Sequence, residues 1–134
     1  MVENKLKLLR IILFFCAIYF LIAAFAHFFG LTIFPVYDGT LYSPYHDTLL
    51  TLCDLIFVML FLMVAKNPLK NIDTLHVIIA AFALVIIFNL GIIWNIDFIA
   101  LGSTQKKMQT IVETILSTAM LILIFILRPK NTKR

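Results

Sequence analysis

LHVIIAAFALVIIFNLGIIWNIDFIAL occupies residues 75–101, a run of 27 positions with no Lys or Arg and with Asp97 as its one acid. As a helix, such a run reaches about 40 Å at 1.5 Å per residue, more than the roughly 30 Å of hydrocarbon in a bilayer. Only helices and closed barrels satisfy their backbone groups in lipid. A barrel strand alternates apolar and polar positions, and this run does not, so its pattern predicts a spanning helix.

Three more runs share that character, at about 8–29, 49–65 and 109–127. The fold class they predict is all-α: an integral membrane four-helix bundle, the 134 residues forming one four-span domain. Composition agrees, with 63% hydrophobic and 13% charged residues and a mean hydropathy of +1.06. A soluble domain of this size needs far more polar surface. The start of the chain resembles a signal peptide, with basic residues before an apolar core and Ala24-Phe25-Ala26 as a small-residue site. Its apolar run exceeds the usual 7–15 residues, so a retained span is expected.

Basic residues predict orientation. Lys5, Lys7, Arg10, Lys66, Lys70, Arg128, Lys130, Lys133 and Arg134 share one side of a four-span chain, against Lys106 and Lys107 on the other. Nine against two places both termini in the cytoplasm. The location expected is the cell membrane, multi-pass, specifically a bacterial inner membrane. Topology alone explains the basic C-terminal tail, and no nucleic-acid partner is expected. The partners the sequence allows are the lipid bilayer, a second copy of the chain, or another membrane protein.

The connection 30–48 is long and rich in turn residues: Gly30, Pro35, Asp38-Gly39 and Ser43-Pro44. Phe34, Tyr37, Tyr42 and Tyr45 suit a headgroup interface. The segment is expected to lie across the mouth of the bundle.

Ionisable residues inside a span cost about 2.5–3.5 kcal/mol on insertion scales and are functional candidates by default. Asp54 and Glu113 qualify. Counted from the outer ends of their spans, they lie at similar depths, about 9 Å and about 8 Å. Each sits on a polar stripe at helical spacing: Asp47, Thr51 and Asp54 on the second span, and Thr110, Glu113, Thr114 and Ser117 on the fourth. His27, His46, Asn95 and Asp97 end near the same level, and Asn89 lies deeper.

Three readings compete for this cluster. In one, the acids are interhelical glue, each contact contributing about 0.6 kcal/mol. In another, they anchor a polar or cationic ligand in an outer-side pocket formed by Asp54, Glu113, Asp47, His27, His46, Asn89, Asp97, Thr51, Thr114 and Ser117. In the third, His27, Asp54 and Glu113, with His46 or Asp47 as a further member, hold a divalent metal or a proton, although no HxxxH, ExxH or HExxH motif supports a metal. No cofactor is called for, because P-loop, GxGxxG, GxSxG and haem-attachment motifs are all absent. Function is therefore expected to be binding of a small ligand or membrane partner. A small membrane enzyme or proton-coupled carrier using the paired acids, as a dimer, and a structural subunit of a membrane complex are the alternatives.

The remaining residues have plainer readings. Cys16 and Cys53 lie in apolar runs without a CxxC and act as small hydrophobes. His76 is interfacial at the start of the third span, where Asp73 or Thr74 is expected to cap the helix. Gly91 carries a weak signal of close helix contact.

Some stretches resemble the BphX-like family of small bacterial membrane proteins. They are His46-Asp47-Thr48-Leu49 entering span two, Val64-Ala65-Lys66-Asn67-Pro68 leaving it, and Ile96-Asp97-Phe98-Ile99-Ala100-Leu101-Gly102. The resemblance implies four spans and no roles for individual residues.

Overall fold

The computed structural model describes residues 2–129. Four helices follow one another: α1 Val2–Phe29, α2 Pro44–Lys66, α3 Ile72–Asn95 and α4 Thr104–Leu127. All four are long and apolar enough to cross a membrane. The chain is thus an all-helical, multi-pass architecture. The closest packing is within two hairpins, α1 on α2 and α3 on α4. The long connection 30–43 and the turn 96–103 share one end, called here the lid end. The short connection 67–71 lies at the opposite, tail end. Of the basic residues counted for orientation, Lys130, Lys133 and Arg134 lie outside the described residues.

The core fills the tail half. Leu9 and Leu13 of α1, Phe61 and Val64 of α2, Leu75, Ile78 and Phe82 of α3, and Ile124 and Leu127 of α4 are buried together. Phe61 sits between Phe20 and Phe82, with ring centroids 5.3 Å and 6.0 Å away. Toward the lid end, α1 buries Ala23, Ala24 and Ala26 instead. Small side chains let backbones approach, and Thr51 of α2 donates to the Ala24 carbonyl at 3.3 Å. Most large apolar side chains face outward, Trp94 at 89% exposure and Phe88 at 67% among them. Water would not tolerate so much contiguous apolar surface, and lipid does.

Local chemistry sets the helix ends. After α1, Gly30 adopts φ +64°, its N–H donates to His27 O, and Leu31 N–H donates to Ala26 O at 3.0 Å. This pair of bonds closes the last turn and needs a left-handed residue. The third helix stops at Asn95, six residues before its apolar run ends. Asp97 is the cause: its carboxylate accepts from Ile99 N and Ala100 N and starts a separate turn that ends at Gly102, φ +73°. Hydropathy is blind to that break, because the turn residues Phe98, Ile99 and Leu101 are as apolar as the helix.

Two expectations need correction. The cap of α3 is Asn71, not Asp73 or Thr74, which lie within its first turn. Asn71 Nδ2 also donates to the Met63 and Asn67 carbonyls, satisfying the end of α2. At Gly91, an added Cβ would meet nothing within 4 Å, so no helix packs closely there.

Candidate functional site

Residues 30–43 fold into a lid. Ile33 and Tyr37 form a small bridge, and Gly39–Leu41 make one 3-10 turn. Two buried aspartates pin the lid to the bundle. The first is Asp38, whose carboxylate accepts from Thr40 N, Thr40 Oγ1 and, at 2.8 Å, Ser103 Oγ. Its own N–H donates to Gln109 Oε1 at 2.9 Å. Gln109 Nε2 donates to Val36 O, so one α4 side chain holds two lid backbone groups. Burial pushes the Asp38 carboxyl up, but hydrogen bonds from Thr40 and Ser103 and the charge of Lys106 outweigh it and hold it below the usual carboxylate range.

The second is Asp47. Its Oδ2 accepts from Ser43 N at 2.6 Å, closing the first turn of α2 much as a capping box does. Its Oδ1 accepts from Tyr37 OH at 2.8 Å and lies 2.7 Å from His27 Nδ1. A carboxylate only accepts, which assigns the His27 proton to Nδ1. Burial, and then the hydrogen bond to Asp47 and its charge, raises the Tyr37 phenol above its ordinary value.

Beneath the lid lies a cleft of about 380 Å³. His27 enters it from α1, Leu50 from α2, Asn89 and Ile92 from α3, and Lys106, Gln109, Thr110 and Glu113 from α4. Leu41 of the lid and Ile96, Phe98 and Leu101 of the second turn complete an apolar rim. Lys106 lies with Nζ 4.7 Å from the centre of the Tyr37 ring and 3.5 Å from Asp38 O. Glu113 Oε1 accepts from Gln109 Nε2 at 2.6 Å.

Asp54 is not among the residues that line this cleft. It is half-buried, and its Oδ2 is a fully covered oxygen with no hydrogen-bond partner among the described residues.

The other residues singled out from sequence are placed as follows. His27, Asn89 and Glu113 line the cleft. Asp47 holds the lid. Thr51 and Thr114 are buried; the Thr51 hydroxyl proton is shared between Asp47 O of its own helix and Ala24 O of α1, and the Thr114 hydroxyl donates to Thr110 O. Ser117 is half-buried one turn below Glu113. His46 is exposed and contacts only its own turn through Ser43 Oγ, and Asp97 is exposed and caps a turn, so neither joins the cleft.

Sequence reasoning missed Tyr37, Asp38, Ser103, Lys106 and Gln109. Lys106 and Gln109 carried a signal, since both share the face of α4 that presents Thr110 and Glu113 at i, i+3, i+4 and i+7. Among the described residues, no three His, Cys, Asp or Glu side chains come together as a metal site would need. The chain matches no family model, no curated protein and no solved structure.

Proposed function

We propose that this chain is a multi-pass membrane protein that binds a small polar ligand in the cleft under its lid. One observation carries the reading. A cleft of about 380 Å³ places a cation, a carboxylate and two amides, from Lys106, Glu113, Asn89 and Gln109, around an apolar wall. Ligand sites combine those elements: apolar walls for contact and a few convergent polar groups for orientation. The lid above is fixed by side-chain hydrogen bonds that span up to 73 positions of sequence, a costly arrangement if it covered nothing but lipid-facing helices.

Native mass spectrometry of the full chain released from mild detergent tests the reading. A retained small molecule that is lost in Glu113→Gln, with unchanged melting, supports it. An empty wild type, or a molecule retained equally by that variant, overturns it.

The reading places the lid end outside the cytoplasm. The charge asymmetry supports this, since Lys5, Lys7, Arg10, Lys66, Lys70 and Arg128 gather at the tail end against Lys106 and Lys107 at the lid end. With Cys16 and Cys53 replaced by Ser, an impermeant maleimide on intact cells should label His46→Cys and spare Leu69→Cys. The reverse pattern would invert the orientation.

A further inference from the structure

We infer that the ligand of the cleft is a zwitterion, with an anionic oxygen group held by Lys106 and an ammonium held by Glu113. The inference rests on the ligand-cleft reading above and adds the chemistry of the occupant. Lys106 and Glu113 lie seven residues apart, two turns along one face of α4, and both line the cleft. Seven residues rise about 10 Å. Within the described residues, neither makes an ion pair: Lys106 leans toward the lid over Tyr37, and Glu113 is bonded to Gln109. Two opposite charges therefore face one cavity without neutralising each other.

A ligand bridging the two would take a charge-assisted hydrogen bond at each end. A phosphate and an ammonium joined by a two-carbon link is one group of that kind. The Glu113 carboxylate favours a cation at its end of the cleft over a second anion. Asn89 adds an amide to the cleft lining, whereas Gln109 spends its own on the lid and on Glu113.

The free zwitterion and a lipid headgroup share this chemistry, and the test separates them. Full-length protein in detergent would be titrated with three probes: free phosphoethanolamine, short-chain phosphatidylethanolamine, and short-chain phosphatidylglycerol with the same tails. Binding would be read by native mass spectrometry. The expected result is at least tenfold tighter binding of the zwitterionic lipid than of the anionic one, a preference erased by Glu113→Gln and kept by Glu113→Asp. Lys106→Met should weaken both lipids, and Lys106→Arg should restore them. Binding of free phosphoethanolamine matching that of its lipid assigns a soluble ligand, and binding of the lipid alone assigns a headgroup.

Equal affinity for the two lipids overturns the inference. So does retention of a molecule without both charges, although the ligand-cleft reading survives if Glu113→Gln releases that molecule. A wild type that retains nothing and binds none of the probes overturns both.

Discussion

The Ser103 hydroxyl donates to Asp38 Oδ2 at 2.8 Å while accepting from Lys106 N at 3.1 Å. One side chain thus caps α4 and ties that cap to the lid. The same carboxylate accepts from Thr40 on its other oxygen. Removing it strands buried donors, each costing about 1–3 kcal/mol. Asp38→Ala should lower stability by about 2 kcal/mol and open residues 30–43 to protease. Limited proteolysis in detergent checks both, and a lid as protected as in wild type would refute the docking role.

The Asp38 carboxyl is held below its ordinary value. A depressed acid contributes stability above its unfolded pKa, about 3.9, and loses it as pH falls through the folded value. Lid protection should therefore be flat from neutral pH down to about 4 and then fall. Asp38→Asn should reduce that acid-dependent loss and leave the part carried by Asp47, the lid's second carboxylate anchor. Identical acid-induced loosening in wild type and Asp38→Asn would refute a role for Asp38 in it.

Gly39 has backbone against it. A Cβ there would lie 2.5 Å from Gly30 O, a backbone atom that cannot swing aside. Gly39→Ala should cost about 1–3 kcal/mol, as overpacking does. Gly91→Ala serves as the contrast, since its Cβ meets nothing and a helical alanine stabilises by about 0.8–1.0 kcal/mol. Thermal melts of the two variants should shift in opposite directions.

Much of this architecture is legible in sequence because the solvent imposes it. Four apolar runs became four helices. Turn chemistry was harder to read. Asp97 ends α3 inside an apolar run, and only the carboxylate's bonds to Ile99 N and Ala100 N reveal it. The lid contacts were harder still. Val36 meets Gln109 across 73 positions, and no helical or strand period relates residues that far apart. Lys106 reads as a topology marker until the lid places Tyr37 and Asp38 against it.

Phe61 and Phe88 share one side chain and opposite surroundings. Phe61 is wholly buried among Phe20, Phe57 and Phe82, whereas Phe88 is 67% exposed on α3. In lipid, the apolar effect does not distinguish them, because acyl chains are as apolar as the core. Packing does. Truncating Phe61 leaves a void whose lining loses its contacts, costing about 3–5 kcal/mol in well-packed interiors. Acyl chains or detergent can flow into the gap left at Phe88, so the same truncation there should cost under about 1 kcal/mol. Unfolding in a graded denaturing-detergent mixture measures the difference. Equal losses for Phe61→Ala and Phe88→Ala would mean that the α3 face around Phe88 is packed against protein, in a second copy or a partner, and not against lipid.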